Sequence, residues 1–564
     1  MALLHSAPSH TLHYSITKLN LKNPSPFVSK TSFTSRKLHF REPSFGATKI
    51  SCRLIPKIVQ DGVNTVVNPV ISIVDGLQPA TYTPPKDDLK KEDFPADFIF
   101  GASTSALQTE GRGDEGGRGK STWDFMIEAE KGHKAVDSYN LYKEDVKILK
   151  ETGLNSYRFS IAWPRILPNG TVESGINQEG IDFYNNFIDE LVANGITPIV
   201  TLFHFDLPVP LQKQYFGFMR PNVVEQFTEF ADLCFEKFGD RVKYWGTINE
   251  PYVFGAYGYK MGLPSDLQKD PRGSFIATHH IILAHASAAK LYKDKYQKSQ
   301  KGKIGISLPC KWFMPHSTDP KDFAASKMQL DFTLGWYMDP LIRGDYPETM
   351  KKNVKGLPEF TKAEKQLIKG AFDYIGINYY TSRFVEHTCT VDPMAGNITI
   401  NFNEQIADDE GNLVGLQAKG QADIYIRPDG LKNLLLYIKE EYGNPEVYVT
   451  ENGVPDKPTI TSSIQDLIAQ GKTEELAAAL DDDYRIQHTQ DHLIAVREAR
   501  SEGANVKGYI VWSLMDNMEV GAGYDVRFGL NFTDYFDNHK RYPKKSARWY
   551  ADFLNADGTK DSLN

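Results

Sequence analysis

Eight short runs rich in β-branched and aromatic residues, spaced by longer amphipathic stretches, constrain this chain more than any other feature. They are FIFGAST (Phe98 to Thr104), SYRFSI (Ser156 to Ile161), TPIVTLFH (Thr197 to His204), VKYWGTINE (Val242 to Glu250), KIGISLP (Lys303 to Pro309), YIGINYY (Tyr374 to Tyr380), EVYVTENG (Glu446 to Gly453) and VKGYIVWSL (Val506 to Leu514). Between them, SYNLYKEDVKILKETG and RPNVVEQFTEFADLCFEKFG repeat apolar residues three and four apart and end on glycine, the pattern of a helix with one buried stripe and a glycine cap. Strand and helix in alternation imply a parallel sheet, because a parallel partner is reached only through a long crossover. The first six runs carry apolar residues on both faces, as strands covered on both sides do. Eight such units are what a closed barrel needs, so the expected fold class is α/β, a single-domain (β/α)8 TIM barrel.

Chemistry in such barrels gathers at the carboxyl ends of the strands. In order, those ends supply Ser103 and Gln108, Arg158, His204, Asn249 with Glu250, Asn378 with Tyr380, Glu451, and Trp512 followed by Asp516 and Glu519. Glu250 and Glu451 stand out because each ends an apolar run, in TINEP and VTENG. Strands four and seven lie across a barrel mouth from one another, so the two carboxyl groups can flank a sugar. One carboxyl protonating a departing oxygen while another attacks the anomeric carbon is the minimum equipment for retaining glycoside cleavage, with a separation of about 5 to 5.5 Å. The charge on Glu451 is expected to raise the pKa of Glu250 and so keep it protonated, while Arg158 and Tyr380 favour the ionised form of Glu451.

Composition narrows the partners. The 564 residues are 41% hydrophobic and 12% aromatic with a net charge of -8, which suits a large buried core and opposes a nucleic-acid surface. No 18-residue apolar run offers a membrane span. Cys52, Cys234, Cys310 and Cys389 lie far apart with no CxxC spacing, and His279, His280 and His285 sit in a helical THHIILAH stretch that reads as packing or surface and not as a metal site. The first sixty residues are basic and hydroxylated with Glu42 as their only acid, the composition of an organellar transit peptide, plastid in preference to mitochondrial. The expected organisation is a leader over 1–58, a linker over 59–92, the barrel over 93–558 and a tail over 559–564.

The strings GASTSALQTEG, YRFSIAWPRILPNG, TLFHFDLP, TINEP, GINYYTS, VTENG, GYIVWSLMDN, GYDVRFG and YPKKSARWY, in this order, resemble family 1 glycoside hydrolases, the plant β-glucosidases, from about Lys90 to Leu554. The resemblance implies a TIM barrel, retention of configuration, a small-molecule β-glucoside as partner, and neither cofactor nor metal. It implies Glu451 as nucleophile, Glu250 as acid and base, and Gln108, His204, Asn249, Trp512 and Glu519 as sugar-binding positions. Three departures bear on the substrate. Phe205 and Val520 stand where the family usually has tryptophan, and Asp423 stands where an aglycone-stacking tryptophan is common. A sugar wall short of two indoles and an altered aglycone side suit a bulky, non-planar aglycone of the steroidal saponin kind, with transglucosylation or carbohydrate binding alone as alternatives. The segments from His387 to Asp423 and from Val454 to Asp483, the latter with helical TEELAAALDD, are expected to build the rim, and a helical insertion there can equally serve self-association.

Overall fold

The computed structural model describes residues 89–124, 135–258, 272–391, 398–421, 423–520 and 522–555. The expected leader and tail, nearly all of the linker and the middle of the loop after TINEP lie outside them. All eight runs are strands of one closed parallel barrel: β1 (Ile99–Ser103), β2 (Ser156–Ser160), β3 (Thr197–Phe203), β4 (Tyr244–Asn249), β5 (Lys303–Pro309), β6 (Tyr374–Asn378), β7 (Val447–Asn452) and β8 (Val506–Trp512). Each strand pairs with its neighbours in sequence, and β8 closes on β1 with Ser103 opposite Trp512.

Side-chain alternation along the strands sorts core from cavity. In β2, Tyr157 and Phe159 face out and pack on Phe187 of helix α1 (Gln178–Ala193), with ring centroids 6.0 and 4.7 Å apart. Between them Arg158 faces in and is 1% exposed. At the amino ends of the strands, Ile99, Ile199, Tyr374, Tyr448 and Ile510 form a plug with Tyr244 packed against it, the Tyr374 and Tyr448 rings 5.2 Å apart and edge-on. Burying each such side chain contributes about 1.5–3 kcal/mol, and the plug leaves the carboxyl-end mouth as the place for a site.

The two glycines expected to cap helices behave differently. Gly153, after the helix Ser138–Thr152, takes φ 79° and its N–H reaches the carbonyls of Leu149 and Lys150, which is the left-handed cap glycine allows without strain. Gly239, after the helix Asn222–Phe238, keeps a right-handed φ of -71°. A Cβ there would lie 2.0 Å from the Gln300 side chain, whose amide donates to Phe235 O at 2.7 Å. Gln300 therefore caps this helix, and glycine is required for its close approach.

Insertions surround the mouth. After β5 and β6 the segments Trp312–Pro315, Ser382–Val391 and Ile398–Gln405 form a three-stranded sheet, and Leu416–Gln417 pairs with Tyr425–Ile426. After β7 the helices Ile464–Ala469 and Thr473–Leu480 pack through Ile464, Leu467 and Ala479 on Phe532. The second of these is the expected TEELAAAL helix.

Candidate active site

Glu451 is fixed before any ligand arrives. A register shift between Val449 and Glu451 in the pairing of β7 with β6 puts Glu451 opposite Asn378 at the top of the sheet. From β2, Arg158 Nη1 donates to Glu451 Oε1 at 2.7 Å, and Tyr380 OH donates to Oε2 at 2.9 Å. Both carboxylate oxygens thus have partners, one of them a guanidinium, and both side chains of the ion pair are almost fully buried. A buried ion pair is stable only when its hydrogen bonds are met, and here they are. The other arm of Arg158 donates to Asn249 Oδ1 at 2.5 Å and Ser307 Oγ at 3.3 Å.

Glu250 is held on one side only. Its backbone lies in the left-handed region, φ 45°, and its N–H donates to Ser307 O at 2.9 Å. A side chain other than glycine pays for this conformation, and such departures cluster where function sets the geometry. Asn378 Nδ2 donates to Glu250 Oε1 at 2.9 Å and to Asn249 Oδ1 at 3.1 Å, while Glu250 Oε2 is buried without a protein partner. Burial first, and the charge of Glu451 second, push this carboxyl up to about 8. The sequence-based expectation named the neighbour's charge as the cause. Desolvation is the larger one, because Glu250 is 1% exposed and lacks a cation of its own.

The remaining candidates form the pocket wall. One pocket is lined by Gln108, His204, Phe205, Asn249, Glu250, Glu451, Trp512, Glu519 and Val520. Gln108 Nε2 donates to Asn517 Oδ1 at 3.0 Å and Met518 O at 2.9 Å, and it lies 3.5 Å from Glu519 Oε2. Trp512 Nε1 donates to Glu519 Oε1 at 3.3 Å. Burial pushes the Glu519 carboxyl up to about 8 as well. Asn249 Nδ2 lies 3.1 Å from His204 Nε2, and burial together with Arg158 keeps this imidazole well below its usual pKa and so neutral. An Nε2 that accepts leaves the proton on Nδ1, which has no protein partner.

Phe205, at φ 75°, stacks on Phe254 with centroids 6.2 Å apart and packs on Trp123 at 6.0 Å. With Val520 it gives the wall two apolar faces that offer no hydrogen-bond donor. Asp423 stands apart from the cavity lining: it precedes the short strand Tyr425–Ile426, is half-buried, and offers its carbonyl to Arg383 Nη2. The inward positions of that segment belong to Ile424 and Ile426, which cluster with Tyr380, Trp512, Val526 and Phe528.

Sequence reasoning took no residue from β5, yet Ser307 contacts both Arg158 and the Glu250 backbone. The serine two places from the end of KIGISLP was the available signal. Thr450 was also missed; its hydroxyl donates to Asn378 Oδ1 at 2.6 Å and turns the Asn378 amide nitrogen toward Glu250. Asn517, beside Asp516 in the MDN string, orders Gln108. The three histidines of THHIILAH are engaged elsewhere: His279 stacks on Phe360 at 4.5 Å, His280 Nδ1 lies 2.7 Å from Phe218 O, and His285 Nδ1 lies 2.6 Å from Thr247 Oγ1. Among the described residues no group of three or more His, Cys, Asp or Glu side chains is arranged to hold a metal ion.

Comparison with known proteins agrees with this geometry. Residues 90–559 match the family described as Glycosyl hydrolase family 1. The chain is 45% identical over 494 residues to Beta-glucosidase 12 of Oryza sativa subsp. indica, covering 83% of this chain and 93% of that one. It is 42% identical over 545 residues to Furostanol glycoside 26-O-beta-glucosidase of Hellenia speciosa, covering 92% and 93%. Among solved structures, the rice Os3BGlu6 Beta-Glucosidase superposes with a TM-score of 0.76 at 38% identity, over 83% of this chain and all of that one. With its closed barrel, its two facing-strand glutamates and these relatives, the chain belongs to glycosyl hydrolase family 1 and is a glycoside hydrolase.

Proposed function

We propose that this chain is a retaining β-glucosidase of plant specialised metabolism whose preferred substrate carries a bulky, steroid-like aglycone. The observation that carries the activity is the unequal treatment of two carboxyl groups in one pocket: Glu451 is paired on both oxygens, while Glu250 is uncharged at neutral pH and has a free Oε2. Glu451 attacks the anomeric carbon. The bond from that carbon to the aglycone oxygen breaks, its electron pair stays on the oxygen, and Glu250 supplies the proton. In the glycosyl ester Glu451 is neutral, so one of the two causes that raised the pKa of Glu250 is gone. Glu250 then takes a proton from water, the hydroxide attacks the same carbon from the opposite face, and Glu451 leaves as carboxylate. Gln108, His204, Asn249, Trp512 and Glu519 grip the sugar, and its apolar face meets the Trp512 ring.

The aglycone reading is supported by Asp423, which stands where an aglycone-stacking tryptophan is common in the family. A further support is the match to the furostanol relative, which at 92% of the chain continues past the catalytic domain into the N-terminal region. That region's basic, acid-poor composition supports a plastid address, which fusion of residues 1–92 to a fluorescent protein tests by microscopy. The decisive experiment is kcat/KM on leaderless protein for steroidal, phenolic and benzoxazinoid glucosides. Highest values for the steroidal class are expected, and a preference for flat aryl glucosides would overturn the aglycone reading. Glucose transfer to an added alcohol in excess of hydrolysis would favour the transglucosidase.

A further inference from the structure

Behind the pocket lies a buried ionic scaffold that the catalytic chemistry does not use. At its centre is Asp516, four residues after Trp512 and three before Glu519. The side chains of Asp516 and Lys544 are both 0% exposed and are joined at 2.8 Å. Asp516 Oδ1 also accepts from Gly529 N–H at 2.9 Å, and its Oδ2 accepts from Arg527 Nη1 at 3.0 Å. Its own N–H donates to Asn531 O at 2.9 Å, and its carbonyl accepts from Thr533 Oγ1 at 2.7 Å and Tyr535 OH at 3.1 Å. Every polar atom of Asp516 is therefore committed to the protein.

The scaffold reaches the nucleophile's loop as well. Arg527 and Asp456, five residues beyond Glu451, exchange both backbone hydrogen bonds at 2.9 Å. Arg485 Nη2 donates to Asp456 Oδ2 at 3.1 Å and to Arg527 O at 3.0 Å, and Arg485 Nη1 pairs with Asp482. Asp482 in turn accepts from the Ser546 N–H at 2.7 Å and its hydroxyl at 2.6 Å, in the helix Lys545–Leu554 that follows Lys544. Three acids, Asp456, Asp482 and Asp516, thus meet three bases, Arg485, Arg527 and Lys544. The formal charges balance; Asp456 Oδ1 and Arg485 Nε are buried without a partner, whereas Asp516 at the centre is fully hydrogen-bonded, the condition under which a buried polar group rigidifies its surroundings.

The loop it holds ends in a narrow hairpin in which Glu519 and Gly523 exchange backbone hydrogen bonds at 2.9 and 2.8 Å. That hairpin carries Glu519 and Val520 into the pocket. We infer that Asp516 is a positioning residue for sugar recognition, acting through Glu519, and that the six-charge scaffold sets the loop of the sugar-binding glutamate relative to the loop of the nucleophile. A group displaced by about 1 Å from its productive position costs up to ~10²-fold in rate, so a scaffold of this kind is worth the cost of burying charge.

The inference rests on the β-glucosidase reading, and a double-mutant cycle separates the two. With 4-nitrophenyl β-glucoside, Asp516→Asn is expected to lower kcat/KM by ~10²-fold, mostly through KM, and to weaken a glucose-shaped competitive inhibitor in proportion. Covalent labelling by a 2-fluoro-glucoside, which reports Glu451, is expected to persist. In a Glu519→Ala background the same substitution is expected to cost less than about threefold, because the group through which it acts is gone. Full additivity of the two losses, or a lowered melting temperature with kcat/KM unchanged, would overturn the positioning role. Where Asp516→Asn does not accumulate as folded protein, Arg527→Lys, which keeps the charge and loses the forked geometry, carries the same cycle. A wild-type protein that turns over no β-glucoside would sink the functional reading itself, whereas an additive cycle in an active enzyme sinks the scaffold inference alone.

Discussion

The ends of β4 and β7 present the same functional group, a glutamate, in opposite states. At β7 the carboxylate is clamped by a guanidinium and a phenol, so its charge and orientation are settled in the empty protein. At β4 one oxygen takes a single amide hydrogen bond, the other takes none, and burial holds the proton on. An attacking group gains from being immobile and ionised, whereas a group that gives and then takes a proton needs an unoccupied oxygen and a pKa near the working pH. The difference in environment is what supports the two proposed roles.

Breaking the clamped end has the largest effect. Glu451→Ala is expected to lower kcat by about 10⁴-fold or more, with azide restoring formation of an α-glycosyl azide, and hydrolysis at the wild-type rate would refute the assignment. Next comes the open end. Glu250→Ala is expected to slow cleavage of poor leaving groups by ~10²- to 10⁴-fold while sparing glycosylation by activated aryl glucosides. Equal losses for both leaving groups in that first step would remove Glu250 as the acid. Tyr380→Phe removes one hydrogen bond to a charged oxygen, typically worth about 1.5–3 kcal/mol, so kcat/KM should fall roughly 10- to 10²-fold.

Stability sharpens the comparison by reversing sign between the two ends. Glu451→Gln strands the buried Arg158 charge, and chemical denaturation should show a loss of about 3–5 kcal/mol. Glu250→Gln does the opposite. The folded-state pKa of Glu250, about 8, lies above the ordinary 4.5, so its contribution to stability is fully present below 4.5 and is lost as pH rises through 8. The glutamine variant has no proton to lose, so it should melt above wild type at pH 9 with the gap closing toward pH 4.5. A gap independent of pH would show that Glu250 does not titrate as described. Activity on poor leaving groups should fall over the same alkaline range as the acid is deprotonated.

The barrel and the two glutamates were legible because each is written locally. Strand runs follow from composition over five to seven residues, and a charged residue ending an apolar run marks a strand's carboxyl end. Arg158 and Tyr380 were legible from their places on the strands. What escaped depends on distances between strands. Ser307 looks like any strand serine until Arg158 reaches it, and Thr450 gains meaning only from the register that sets it beside Asn378. The larger role of burial in raising the pKa of Glu250 was likewise out of reach, since desolvation belongs to the assembled mouth. Asp423 lay in an insertion whose short strand turns its isoleucines inward, a choice that packing makes and local sequence does not.

The seam between β1 and β8 sets Ser103 beside Trp512 and lets Gln108 hold the backbone of Met518. The pocket is thus stitched from the first and last strands of the barrel to leave the ribosome. During synthesis Glu250, Glu451 and seven of the eight barrel strands are made before Trp512 and Glu519, the last part of the pocket wall. The nascent chain consequently passes through nearly its whole length with the pocket lined on one side only, and the site is complete only when the eighth barrel strand docks.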